Sequence, residues 1–256
     1  MHPVLIRIGP LTIHTYGVLL AIGFLLGIGL AVRQAKKQGM PENRIIDLGF
    51  YILLAAILGS RLMFILINAD YFVSNPVAVF KIWEGGLVFY GGVLLAVPTA
   101  VWYVKKNDLG IWRTADIFAP SIAIGHAFGR LGCFFAGCCY GKTAAQLPWG
   151  VIFSDPECLA PTNVLLHPTQ LYESGGEFLN FLILFILQKH RSFKGQISMT
   201  YLLLYSVLRF IVEFFRGDAE RGFIFAGLSI SQGISIIMFV VAVTGLVVLK
   251  QRKTSV

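Results

Sequence analysis

Charged side chains are scarce in this sequence: Asp, Glu, Lys and Arg make up 13% of its 256 residues, where a soluble domain carries roughly a quarter. That scarcity excludes an ordinary solvated surface. The cysteines Cys133, Cys138, Cys139 and Cys158 have neither the number nor the spacing of a secreted disulfide framework, and they form no Cys-x-x-Cys pair. A repeat of fixed period is missing too, and with it the solenoid and propeller architectures. No nucleic-acid-binding module is recognisable, so the net charge of +8 needs another explanation. The first fifteen residues, with His2, Pro3, Arg7, Pro10 and His14 among apolar positions, lack the basic region and small-residue cleavage site of a signal peptide. They read as an interfacial lead-in that is not processed.

What is present is apolar length. The chain is 56% hydrophobic with a mean hydropathy of +0.75, and its basic residues cluster between long apolar runs. This is an all-α integral membrane protein of about seven transmembrane helices, read as a single polytopic domain over 1–256. The spans fall at about 16–32, about 45–67, a third ending near 104, and a fourth over the glycine-rich stretch 125–141, entered through Asp116, Ala119 and Pro120. A fifth begins at His167-Pro168, a sixth covers about 197–215 and a seventh about 228–249. The third is led in by Trp83-Glu84-Gly85-Gly86, with Gly91-Gly92 after Tyr90; two glycine pairs suggest irregular or closely packed backbone there. A small external portion lies around 140–168.

Thirteen Lys and Arg flank the ends of the odd spans, from Arg33, Lys36 and Lys37 to Lys250, Arg252 and Lys253. Five, Arg7, Lys81, Lys142, Arg216 and Arg221, lie on the other side. The positive-inside rule then puts the N-terminus outside and the C-terminus in the cytoplasm. Arg61, Arg130 and Arg209 remain within spans, where a charge costs several kcal/mol and marks a functional site by default.

The sixth span carries Tyr205, Arg209, Glu213 and Arg216 at separations of four, four and three, so all four share one helical face. One reading is an Arg209–Glu213 pair that locks helix packing. Another is a stripe facing Arg130 across a water-accessible cavity, where two guanidiniums would attract an anion and match the oxygens of a phospholipid headgroup. A channel or transporter would also use buried charge. For the cysteines, a metal site is disfavoured by their spacing. A disulfide from Cys138 or Cys139 to Cys158 on the oxidising face is plausible, and free buried thiols are the default. His14 and His167 both map to the outer boundary, near the cysteines.

Several motifs in order resemble the prolipoprotein diacylglyceryl transferase family over nearly the whole chain. They are His2-Pro3 with Ile8-Gly9-Pro10 and Tyr16-Gly17, Gly59-Ser60-Arg61, Gly85-Gly86 before Gly91-Gly92, Asp116 with Ala119-Pro120, Gly129-Arg130-Leu131-Gly132, the run His167-Pro168-Thr169-Gln170-Leu171-Tyr172-Glu173, and the run from Arg209 to Arg216. The resemblance implies a bacterial cytoplasmic (inner) membrane enzyme that moves the diacylglyceryl group of phosphatidylglycerol onto the lipobox cysteine of a prolipoprotein signal peptide. It would release glycerol 1-phosphate and need no metal or other cofactor. It implies catalytic roles for Tyr90, Arg130, Arg209, His167, Tyr16 and Glu213. Substrate binding would fall to Arg130 and Arg209 with His14, Arg61, Asp116, Cys138, Tyr205 and Arg216. The implied partners are the two substrates and the bilayer, with no nucleic acid. The rival readings are a same-fold transferase with another acceptor and a membrane thiol–disulfide oxidoreductase built on the four cysteines.

Three positions depart from the family pattern. Tyr90 stands where the family has a histidine, and Cys133 and Cys138 stand where it has asparagine and glutamate. A tyrosine, with an unperturbed pKa near 10, is a weak base at neutral pH unless a cation lowers it. If Tyr90 takes over proton abstraction beside an arginine, Tyr90→Phe abolishes single-turnover transfer; full retention of that turnover would exclude the role.

Overall fold

The computed structural model describes residues 1–9, 11–81, 85–144, 147–217, 222 and 227–254. Pro10, Trp83, Glu84 and Arg221, each used in the sequence reading, lie outside the described residues. The chain is mostly helical. Its helices are α1 (Thr15–Lys37), α2 (Glu42–Ile67), the short α3 (Ala69–Ser74), α4 (Phe89–Lys106), α5 (Ile111–Ala136), α6 (Thr169–Leu187), α7 (Gln196–Glu213) and α8 (Ile230–Thr254). Two antiparallel ladders complete it, β1 (Val4–Ile8) with β2 (Leu11–His14), and β3 (Val151–Ile152) with β4 (Leu165–Leu166).

Four helices, α1, α2, α5 and α8, are long and apolar enough to cross a membrane by length and composition. At a rise of about 1.5 Å per residue, a 26-residue helix such as α2 spans roughly 39 Å. α4, α6 and α7 have 18, 19 and 18 residues and occupy the third, fifth and sixth predicted positions. The first fifteen residues are more ordered than an interfacial lead-in: β1 and β2 form a hairpin, and Thr15 Oγ1 donates to the His2 carbonyl at 2.6 Å as α1 begins.

The helices bury polarity and expose hydrocarbon. α6 buries Thr169, Gln170, Glu173, Ser174, Glu177 and Asn180, while Leu179 and Ile186 on its other side are 57% and 60% exposed. A helix in water does the opposite. The inversion is what a lipid solvent selects, because apolar side chains need no shelter there and ionic ones need partners.

The chain forms two compact units, Met1–Ala31 with Ala115–Val256, and Val32–Thr114. In the second unit, α2 packs along α4 with Gly59 against Gly91; a Cβ at Gly59 would meet the Gly91 carbonyl at 2.3 Å. Only glycine permits that approach. Of the two glycine pairs around Tyr90, the first is irregular, with φ of +89° at Gly85 and +75° at Gly86. The second lies inside α4, where close helix packing, and not an irregular backbone, explains it. In the first unit, α5 lies against α1: a Cβ at Gly132 would meet the Tyr16 ring at 2.9 Å.

The portion around 140–168 has a small core of its own, Phe153, Cys158, Ala160 and Leu166, with Phe134 from the end of α5 packed against it. Arg7 of the hairpin pairs with Glu157 there. All four cysteines are free. Free thiols, the default reading, are what the structure has; the alternative Cys138 or Cys139 link to Cys158 is absent, since Cys158 points into that apolar core with its thiol directed at the Phe135 carbonyl.

Candidate active site: two arginines on one carboxylate

Three helices of the first unit bring polar stripes to a common interior. On α5, His126, Arg130 and Cys133 follow at intervals of four and three. On α6, Glu173, Glu177 and Asn180 do the same, and on α7, Tyr205, Arg209 and Glu213 follow at four and four. Each stripe occupies one helical face, and the three faces meet. Arg130 Nη2 lies 3.0 Å from Glu173 Oε1. Arg209 Nη1 lies 3.9 Å from Glu173 Oε2, while its Nη2 pairs with Glu213 Oε2 at 2.8 Å and donates to Ser231 Oγ of α8 at 3.0 Å. Glu173 is 1% exposed and Glu213 2%. Both sequence readings of the sixth span therefore hold geometrically: Arg209 pairs with Glu213, and the stripe also faces Arg130.

His126 sits behind the arginine. Arg130 Nε donates to His126 Nε2 at 3.2 Å, so that ring nitrogen accepts and the proton of a neutral imidazole resides on Nδ1. Nδ1 is 3.8 Å from Glu177 Oε1, and the Tyr205 ring covers the imidazole at 5.4 Å between centroids. The two guanidiniums are thus held from below by carboxylates and an imidazole. Arg209 Nη1 is buried with no hydrogen-bond acceptor among the described residues.

A thiol-lined turn follows α5. Gly137 at φ +74° and Cys139 at φ +59° fold the chain back on the helix end, so Cys133, Cys138 and Cys139 group with their sulfurs within 4.8 Å of one another. The Cys138 thiol is directed at the Cys133 carbonyl at 3.8 Å. His167 lies at the same end: its carbonyl accepts from Gly141 N at 3.1 Å, and its Nδ1 is 3.3 Å from the Tyr172 hydroxyl. Gly141 also pairs with buried Arg216.

A profile of the family described as prolipoprotein diacylglyceryl transferase matches residues 3–248. The chain belongs to that family. It is similar to proteins named phosphatidylglycerol–prolipoprotein diacylglyceryl transferase from Clostridium tetani (36% identity, covering 95% of this chain and 96% of the relative), Finegoldia magna (38%, 89% and 88%) and Bordetella parapertussis (38%, 99% and 97%).

Not every residue expected at the transferase site is brought to it. Asp116 is on α5 with Arg130 but fourteen residues earlier, about 21 Å along the helix. It is fully buried and accepts from Gly195 N at 2.7 Å, Ser198 N at 2.9 Å and Ser198 Oγ at 3.1 Å. That makes it a cap for the start of α7, supplied from another helix. Arg61 lies in the other unit. Its guanidinium donates to the carbonyls of Val79 at 3.1 Å and Gly85 at 2.8 Å, and also to Ala78, with its charge over Phe64 and Phe72. It organises the turn between α3 and α4. Tyr90, at the start of α4, is exposed with its ring against Phe89. His14 is exposed at the end of β2, opposite Val4, and Tyr16 packs on Gly132, two residues after Arg130.

The sequence reading gave no role to His126, Glu173 or Glu177. The signal was there in the spacing of α6, whose acids recur at four residues in an apolar run. With Glu173 removed, Arg130 would lose its close carboxylate while Arg209 kept Glu213, and breaking a buried pair costs about 3–5 kcal/mol. Glu173→Ala should therefore lower the thermal midpoint of the detergent-solubilised transferase sharply and Glu173→Gln less so; an unchanged midpoint for the alanine variant would contradict the shared-carboxylate assignment.

Proposed function

We propose that this enzyme transfers the diacylglyceryl group of phosphatidylglycerol to the lipobox cysteine of a prolipoprotein, releasing glycerol 1-phosphate, the first step of lipoprotein maturation. The observation that carries the proposal is the buried Nη1 of Arg209, a donor with no acceptor among the described residues, next to Arg130 on the same carboxylate. Two guanidinium forks match the oxygens of one phosphodiester, and the carboxylate beneath them keeps the forks aimed without neutralising both. The names of the relatives support the donor and the acceptor class.

In the reaction the acceptor thiolate attacks the glycerol carbon that bears the phosphate. A carbon–sulfur bond forms, the carbon–oxygen bond to phosphorus breaks, and the electron pair leaves on the phosphate of glycerol 1-phosphate. Arg130 and Arg209 stabilise the charge that develops there, and donors already fixed in a dry site reorganise little during the step. The thiol proton needs an acceptor because a free thiol near pKa 8.5 is only a few per cent ionised at neutral pH. His14, Tyr16, His167 and Arg216, with Cys138, line the outer approach to the donor. Tyr205 and Glu213 hold the arginines.

The chain acts as one polytopic domain in the bacterial cytoplasmic membrane. All seven helices from α1 to α8 other than α3 span it, with the N-terminus outside and the C-terminus inside, as the distribution of Lys and Arg supports. The site then faces the outer leaflet, where the lead-in hairpin and the small external portion meet it.

The direct test incubates the purified chain with phosphatidylglycerol and a synthetic lipobox peptide and weighs the peptide. A diacylglyceryl adduct is expected, with release of glycerol 1-phosphate, and Arg209→Ala should slow its formation by about 100-fold or more, the usual loss for a fixed transition-state donor. Absence of the adduct, or an undiminished rate in Arg209→Ala, would overturn the assignment.

A further inference from the structure

Cys133, Cys138 and Cys139 are brought together by more than the accident of a turn. Cys133 is on the last turn of α5, whereas Cys138 and Cys139 follow Gly137, whose left-handed φ of +74° reverses the chain. Cys139 itself adopts φ +59°, a conformation that costs a non-glycine residue about 1–2 kcal/mol, so something must hold it. Two buried polar side chains at the start of α6 do so. Gln170 Nε2 donates to the Cys138 carbonyl at 2.7 Å and Thr169 Oγ1 to the Cys139 carbonyl at 2.8 Å, and both residues are 1% exposed. The carbonyls are fixed from behind, which leaves the thiols aimed at one another.

The three sulfurs all lie within 4.8 Å of one another, and no histidine or carboxylate joins the group among the described residues. The side chains are only half-buried, so the group is reachable. A cation bonded to sulfur at about 2.3 Å needs sulfurs roughly 4 Å apart, a spacing that small χ1 rotations reach from here. The donor set decides the class of ion. Thiolates alone select soft cations, copper(I) and zinc foremost, while structural zinc requires a fourth ligand that this group does not offer. Three sulfurs suffice for copper(I).

We infer that Cys133, Cys138 and Cys139 form a three-coordinate thiolate site for a soft monovalent cation of the copper(I) type, preorganised by Thr169 and Gln170. Binding displaces the thiol protons to solvent and involves no electron transfer. The site is distinct from the phosphate site, since its ligands are sulfurs and not guanidiniums, and its occupancy is read without assaying transfer.

The full-length protein, purified in detergent and fully reduced, is titrated anaerobically with copper(I) against a chromophoric copper(I) chelator, and with zinc(II) against a zinc indicator. One equivalent of copper(I) should bind with thiolate-to-copper charge-transfer absorption in the near ultraviolet. Cys133→Ser and Cys138→Ser should each weaken it by at least tenfold, and Cys158→Ser should leave it unchanged. Thr169→Val should weaken it by about 10-fold, the loss expected when a partner that orients a metal ligand is removed. Should a serine variant not fold, X-ray absorption on the wild-type complex decides, with three sulfur neighbours expected at about 2.3 Å. The site is refuted by copper(I) binding no tighter than in Cys133→Ser, by equal loss in Cys158→Ser, or by a copper shell without three sulfurs. Tight zinc(II) binding without copper(I) binding would overturn the monovalent assignment.

Discussion

Two guanidiniums buried in an apolar helix bundle must be neutralised without being used up. Glu173 meets that condition by lying between Arg130 and Arg209, close to the first at 3.0 Å and farther from the second at 3.9 Å. Arg209 has Glu213 beside it at 2.8 Å as well, yet its Nη1 keeps no hydrogen-bond acceptor among the described residues; with no carboxylate, two like charges would face one another in a medium where repulsion is weakly screened. The rest of the first unit follows from this arrangement. α6 must turn its polar face inward, α8 must supply Ser231 to Arg209, and His126 must accept from Arg130. Such a network is stable only when its members are satisfied together.

The same helix that carries Glu173 also shapes the thiol-lined end of the site. Thr169 and Gln170, about one turn earlier, grip the carbonyls of Cys139 and Cys138, and Ser174 donates to the Ala127 carbonyl at 2.9 Å, tying α6 to α5 beside the arginine. α6 therefore holds both the carboxylate between the two arginines and the thiol turn. At the far end of α5, Asp116 does a different job, bonding the start of α7 so that Arg209 enters the bundle at a set height.

Much of this was legible in the residues because lipid imposes simple rules. Apolar runs bounded by Lys and Arg placed α1, α2 and α8 to within about five residues, the span expected at about 16–32 being Thr15–Lys37, whereas the helix expected over 125–141 begins fourteen residues earlier, at Ile111. The spacing on α7 put Arg209 and Glu213 on one face. What the residues could not reveal was which stripe meets which, since helical periodicity describes one helix and says nothing of its neighbour. Hence Glu173 passed as part of a motif, and Asp116 and Arg61 as binding residues, when the first caps a helix and the second binds carbonyls of its own unit. The hairpin of β1 and β2 was hidden for a related reason: strands of five and four residues leave little periodicity to read.

Service of one phosphate by two arginines is the point on which everything else rests, and a double-mutant cycle measures it. Binding of phosphatidylglycerol to the detergent-purified protein is compared for the wild type, Arg130→Lys, Arg209→Lys and the double variant, which keep the charge and remove the forks. If both forks hold one headgroup, the loss in the double variant departs from the sum of the single losses by more than about 0.5 kcal/mol. Losses that add to within that margin would mean that the two arginines act at separate places, and would contradict the account.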